Sequence, residues 1–572
     1  MKKDWIAVAN GTKEPDLVIR NASIVNVFSN TMQKGDIAIK DGMIVGIGEY
    51  EAENMIDAGE KVICPGLIDG HVHIESSMVS PFEFAKTLLL HGVTAVAADP
   101  HEIANVLGTA GIDYMLEASK DLPVDIFFTL PSCVPAGPLD ESGAILKAKD
   151  LRPYYENKRI VGLAEMMAYP QTVTAEDSVL EKIEDAFSYG KTVDGHAPFL
   201  SGKSLNAYCA AGVSSDHECT DFKEALEKLE CGQWIMIREG TAAPNFDALR
   251  DLCEEPYYQR CMFVTDDRHP DDLRDRGSID FIIRKAIKAG VSPIHAIRMG
   301  SFHAAQYFGL KDRGAIAPGY RADILICSDL ECLDKMEIET VIKDGKIVVQ
   351  DGKTVLFPKN VTKPCPSFHL EKVEKENFFL EKTGNKQRII TLLPHQILTE
   401  EEIIPLLECK GEELGVCVEK DILKIAVLER HHHTGHIANG FLKGYGLKNG
   451  AVATSVSHDS HNLIVVGTNS EDMAAAANAV RESEGGIAFA VNGKIAGVLA
   501  LPIAGLMSDA PIDEVIEKLE HIYKEVSSCG MKEGIDPFMT LAFAALSVIP
   551  KCRINSLGVI DVLKGRHVPA IF

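Results

Sequence analysis

VICPGLIDGHVHIESSM, residues 62–78, decides the fold: an apolar strand passes through a Gly-Leu-Ile-Asp-Gly turn into the pair His71 and His73. In an extended strand residues i and i+2 project to the same face, so both imidazoles can meet one ion near the mouth of a barrel. The tripeptide alone is a weak signal. With 19 His in 572 residues, chance supplies roughly 0.6 His-x-His per chain. The remaining ligands of a metal site must come from elsewhere.

Downstream the same texture recurs in TAVAADPHE, VDIFFTLPS, IVGLAEMM, TVDGHAP, GVSSDHE, QWIMIREG and CMFVTDD, with helical stretches between. Alternation of apolar strands with helices across residues 62–311 predicts a (β/α)8 barrel, whose catalytic groups sit at the C-terminal strand ends. The polar residues fall at those ends: His71 and His73, then Asp99, His101 and Glu102, then Glu165, His196, His217, Asp266 and Asp267. Four imidazoles and two carboxylates without a thiolate suit a pair of divalent first-row ions such as zinc, manganese or iron. His71 and His73 are read as holding one ion and His196 and His217 the other. Glu165 then bridges them, and Asp266 completes the first shell. Each residue also has a plainer reading. The histidines can be structural, Glu165 a paired acid, Glu102 a helix N-terminal acid, and Asp267, Arg268 and His269 a loop salt-bridge cluster.

On either side of the barrel, residues 17–49 and 314–352 carry short β-branched runs, and KDGMIVG in the first is echoed by KDGKIVV in the second. Residues 1–61 and 312–358 are therefore expected to form two halves of one small β-sandwich around an inserted barrel. Three Pro in residues 354–378 suggest a linker at 359–378. From 379 to 572 an α+β domain is expected, with helices at 471–484 and 512–527. Two His-rich segments there, HHHTGHIANGF and SVSHDSHN, are read as structural or pocket-closing. The domain is expected to cover a barrel mouth or build a subunit contact.

The formal charge of −25 repels phosphate backbones and anionic headgroups, which excludes nucleic acid and membrane surfaces as partners. The N-terminal apolar run is too short for a secretory signal, and Met539–Ile549 reads as a buried helix rather than a membrane span. Fourteen Cys with no CxxC pair point to reduced thiols in the cytosol. They also exclude the deaminases whose zinc needs a P-C-x-x-C motif.

PGLIDGHVHIESSM, ADPHEIANV, LAEMM, VDGHAP, SSDHE and VTDDRHPDD, with GAIAPGYRADILI and the two C-terminal His-rich segments, resemble the adenine deaminase family of the amidohydrolase superfamily. The likeness spans essentially the whole chain. It implies hydrolysis of adenine to hypoxanthine and ammonia in purine salvage, with two divalent ions, manganese or iron ahead of zinc. Glu165 stands in the bridging place that a carboxylated lysine fills in many relatives. Asp266 is implied as the shuttle that takes a proton from water and hands it to the departing amine. Glu102 is the candidate acid for the ring nitrogen beside C6, with Glu218 as the alternative, and His101 and Asp267 are candidates to touch substrate. A cytoplasmic homo-oligomer, dimer or tetramer, is implied as well. The competing readings are hydrolysis of another cyclic C–N substrate and a metal-free oligomeric scaffold, which fold alone cannot separate.

Overall fold

Eight parallel strands form the barrel where the sequence suggested them: Leu67–Val72, Val93–Ala98, Asp125–Leu130, Ile160–Met166, Thr192–Gly195, Ser215–Asp216, Trp234–Arg238 and Cys261–Val264. They belong to a computed structural model that describes residues 1–572 except 1, 60, 242, 329–334, 360–362, 395, 397 and 412. The first five strands pair in order, as do the last three. The Ser214 N–H donates to the Val193 carbonyl at 2.9 Å between the two groups, and Val72 bridges Asp266 to close the ring. Strands such as VTAVAA are buried along their whole length, as parallel strands are when helices cover them. Inward residues including Ile68, Phe127, Val161, Met236 and Met262 fill the barrel centre, so side chains can reach a site only at its ends.

The opening stretch is not one strand. Val62–Pro65 pairs antiparallel with Ile324–Cys327 and parallel with residues 23–24, while Leu67–Val72 pairs with Val93–Ala98. The break falls at Gly66, whose N–H donates to the Asp323 carbonyl at 2.8 Å. A Cβ there would lie 2.2 Å from Thr94 Oγ1, so only glycine lets the chain step between sheets. The barrel therefore begins at residue 67 and not at 62. The apolar run conceals the crossing because both sheets bury it.

Both flanks join edge to edge in one sheet of nine strands. Its alternation has period two: Ile19, Ile24, Ile37, Ile63 and Ile324 share one core, whereas Val25, Val62, Cys64 and Leu325 turn into the core shared with the barrel. The Ile44 N–H donates to the Tyr320 carbonyl at 2.8 Å, which brings the far edge back to the return segment.

The expected linker also needs correction. Residues 360–362 lie outside the described residues. Beyond them Val373 and Phe378 are buried in the C-terminal core, and the His369 N–H donates to the Arg430 carbonyl at 2.8 Å. The C-terminal domain thus starts before residue 379, its first segment pinned by apolar anchors that a proline count does not reveal. It carries an eight-stranded sheet with the helices Ser470–Glu482 and Ile512–Ser528. The run expected as a buried helix at Met539–Ile549 is helical only over Met539–Phe543. No described helix is long and apolar enough to cross a membrane.

This domain lies over the C-terminal ends of the barrel strands. The Ser80 N–H donates to the Ser508 carbonyl at 3.0 Å and the Ser508 N–H to the Met78 carbonyl at 2.8 Å. Beyond the third strand, the Glu141 and Leu139 carbonyls each accept a side-chain amide, from Asn462 and Asn555, at 2.7 Å.

Candidate active site

His71 lies on the first barrel strand with His73 just past its end, and their ring centroids are 4.9 Å apart. His217 stacks on His71 at 4.3 Å, and His196 meets His217 edge-on at 5.3 Å. Glu165, next to last on the fourth strand, turns one oxygen to each imidazole pair. Its Oε2 is 2.7 Å from His196 Nδ1 and 3.3 Å from His217 Nε2, and its Oε1 is 3.4 Å from His73 Nε2. Asp266 Oδ1 stands 3.2 Å from His73 Nε2 and 3.6 Å from His71 Nε2. The left-handed φ of +57° at Asp266, tolerated by a short polar side chain, turns the carboxylate inward. Its N–H meanwhile donates to the His71 carbonyl at 3.0 Å.

These donors fit metal ions. The His73 Nδ1–H donates to the Asp99 carbonyl at 3.2 Å, which leaves a lone pair on Nε2 facing Glu165 and Asp266. His71 Nε2 is buried without a hydrogen bond. Two ligand atoms each about 2.1 Å from one ion stand roughly 3–3.5 Å apart, close to the spacings above. His71, His73 and Asp266 form one group of convergent ligand atoms, and His71, Glu165 and His217 another. Burial opposes protonation of His73 and His217, but Asp266 and Glu165 beside the first, and Glu165 and Glu218 beside the second, raise both well above the ordinary imidazole value. Cations entering here would displace protons.

Glu218 approaches the same imidazoles, its Oε1 3.4 Å from His217 Nε2 and 3.6 Å from His196 Nδ1. Arg238, which the sequence reading passed over, explains its state. From the last position of the seventh strand its buried guanidinium bonds both oxygens of Glu218 and reaches Asp266 Oδ2. Burial opposes ionisation of Glu218, but Arg238 and His196 outweigh it and hold the carboxyl well below the usual range. A basic residue at a strand end, in QWIMIREG, was the available signal.

Glu102 opens the helix His101–Leu107, as the plainer reading expected, but it also faces the site. Its carboxylate accepts His458 Nδ1–H at 2.7 Å and a short bond from His461 Nε2. The Ser457 N–H donates to His461 Nδ1 at 3.2 Å, so that ring carries its proton on Nε2, the nitrogen facing Glu102. Glu102, His458 and His461 converge closely enough to hold an ion, yet a protonated Nε2 is a donor and not a ligand. Burial opposes ionisation of Glu102, and His458, His461 and His101 outweigh it.

His101 joins the two sides, with Nδ1 2.9 Å from Asp99 Oδ2 and 3.6 Å from Glu165 Oε1, and Nε2 3.4 Å from Glu102 Oε1. Asp267 accepts the Ser76 hydroxyl at 2.5 Å. Arg268 donates to the Glu239 carbonyl at 2.6 Å and the His269 N–H to Thr241 Oγ1 at 2.9 Å, so the expected loop cluster gives way to separate backbone and hydroxyl contacts. In the His-rich run, His432 donates to the Ser142 carbonyl at 3.1 Å and His436 faces Glu141 at 3.0 Å, both across the domain boundary. A small pocket lies nearby, lined by Ser76, Met78 and His269 of the barrel and Val456, His458 and Phe538 of the C-terminal domain.

Residues 62–348 match the Amidohydrolase family, and residues 396–566 match the adenine deaminase C-terminal domain. An adenine deaminase from Desulfatibacillum aliphaticivorans is 48% identical over 558 residues, 97% of each chain. Adenine deaminase 2 of Carboxydothermus hydrogenoformans is 45% identical over 571 residues, and an adenine deaminase of Clostridium acetobutylicum 44% over 573, each covering 99% of both chains. With a barrel of this architecture, a buried His-carboxylate cluster at its strand ends and full-length likeness of this degree, the chain belongs to the adenine deaminase family of the amidohydrolase superfamily.

Proposed function

We propose that the protein hydrolyses adenine to hypoxanthine and ammonia, with His71, His73 and Asp266 holding one divalent ion, His196 and His217 a second, and Glu165 between them. The support is one observation: four imidazoles, Glu165 and Asp266 meet at the strand ends, all buried but the half-buried His196, beneath a C-terminal domain that lays His458 and His461 on Glu102. Divalent ions bound by such donors supply the acidity that brings the pKa of water from 15.7 to about 7.

The chain's own groups manage the protons. Asp266 accepts one from the attacking water and returns it to the leaving amine, while Arg238 fixes its second oxygen. Glu102 is held ionised between imidazoles, so it relays a proton: it passes one from His458 to the ring nitrogen beside C6, and the second proton of the attacking water, released as the C6 carbonyl forms, restores His458. Glu218, paired with Arg238, carries no proton to give and steadies His196 and His217. His101 orients Glu102 and Glu165. The N/O donor set suits zinc, manganese or iron, and the family likeness puts manganese or iron first. Buried thiols such as Cys64, Cys133 and Cys261 suit a cytoplasmic setting, and a symmetric dimer or tetramer is the expected assembly.

The test is metal analysis of purified protein followed by turnover of adenine, adenosine, cytosine and a hydantoin. Manganese-loaded protein is expected to release ammonia from adenine alone and to lose that activity on chelation. Preference for cytosine or the hydantoin would move the chain to another cyclic C–N substrate.

A further inference from the structure

Asp459 follows His458 in the C-terminal segment laid on the barrel, and it is only 5% exposed. Its Oδ2 is buried without a hydrogen bond, and its Oδ1 lies 4.0 Å from His458 Nδ1. It is within electrostatic reach of His101, Glu102, His458 and Glu165, so it overlooks the strand-end site. His458 Nδ1 is also 2.7 Å from Glu102 Oε1, which sets the two carboxylates on the border of the same space. A buried carboxylate oxygen without a donor is rare, because desolvation is costly unless a partner arrives. Among the described residues none supplies such a partner to Oδ2.

A free purine base brings one. Its six-membered ring presents C6 to the reacting centre and the adjacent ring nitrogen to the Glu102 side. The five-membered ring carries an N–H, at N9 or N7. A nucleoside has a sugar at N9 and lacks that hydrogen. We propose that Asp459 accepts the N–H of the five-membered ring and thereby restricts the enzyme to free purine bases, so that the C-terminal domain supplies a specificity residue as well as a cover. The inference rests on the reading of the site as an adenine deaminase. Sites that hydrogen-bond a substrate N–H discriminate strongly against analogues without it, because their own buried group is left unpaired.

The experiment compares adenine, 7-methyladenine and 9-methyladenine as substrates of manganese-loaded wild type and Asp459→Ala, with Tm and metal content measured for both. In the wild type, kcat/KM for adenine should exceed that for both methylated bases by about 100-fold or more. Asp459→Ala should lower kcat/KM for adenine by about 100-fold, chiefly through KM, and change that for the methylated bases less than about threefold. An unchanged KM for adenine, or an equal loss on all three bases, overturns the inference. Should Asp459→Ala fail to fold, the wild type decides: turnover of either methylated base within about tenfold of adenine overturns it. A wild type that turns over none of the three bases overturns the parent reading and this inference with it, whereas adenine turnover without discrimination overturns this inference alone.

Discussion

Arg238 shows how one side chain sets the state of several others. Its guanidinium is buried between Glu218 and Asp266, so two carboxylates that would repel each other beside Glu165 can both stay ionised. Removing a partner from a buried ion pair is strongly destabilising because the remaining charge has no compensation. A lysine would restore the charge, but a single ammonium cannot fork onto two carboxylates in the planar geometry of a guanidinium. Arg238→Lys is therefore expected to keep the fold and most of the metal. It should lower kcat by about 100-fold, since Asp266 loses the bond that aims it and misplacement of about 1 Å has that effect. Metal content by elemental analysis beside steady-state kinetics checks this, and a variant with wild-type kcat would show that Asp266 needs no such anchor.

At the scale of elements, the site depends on how the short helix His101–Leu107 is started. Its first turn carries His101 and Glu102, and the Ile103 N–H there donates to Glu75 Oε1 at 3.1 Å. Glu75 comes from the IESS turn after the first strand, so the tail of the opening motif fixes the helix that faces the metal ligands. Burial pushes the Glu75 carboxyl up to about 7, and a neutral side chain should serve as well as a charged one. Glu75→Gln is expected to stay near wild-type activity. Glu75→Ala should lose the cap, about 1 kcal/mol of stability, and about tenfold in kcat; equal activity of the two variants would dismiss the cap. The eight strands and six convergent donors could be read from the sequence because each apolar run ends in its own polar residues, and the fold rule sends those ends to one rim. Arg238 obeys the same rule, but a guanidinium is no metal ligand, so its place in a ligand constellation is not marked in the sequence. The meeting of Glu75 with Ile103 could not be read, because it depends on how a turn and a later helix pack and no periodicity records that. The step at Gly66 was hidden for a related reason, since the run is apolar on both sides of it.

For the whole molecule, the site is complete only when the C-terminal domain is docked, and one contact makes that docking sensitive to pH. His458 reaches across to Glu102 at 2.7 Å. Burial works against its protonation, but Glu102 outweighs burial and raises the imidazole to about 9, against an ordinary value of 6.5. The folded state therefore binds this proton more tightly than the unfolded chain does. The stabilisation is fully present below about pH 6.5 and declines as pH rises through about 9. The charges of Asp267 and Asp459 reinforce the effect. Glutamine at position 458 keeps a donor near Glu102 but does not titrate. Thermal melts of metal-loaded wild type and His458→Gln from pH 6 to pH 10 should show the wild type ahead at pH 6, with the gap closing toward pH 10. Across the same range, limited proteolysis within residues 354–378 should accelerate in the wild type as the C-terminal domain loosens. A Tm gap that stays constant with pH would mean that the contact is a neutral hydrogen bond, and that the domain is held by its other contacts around residues 139–142 and 508.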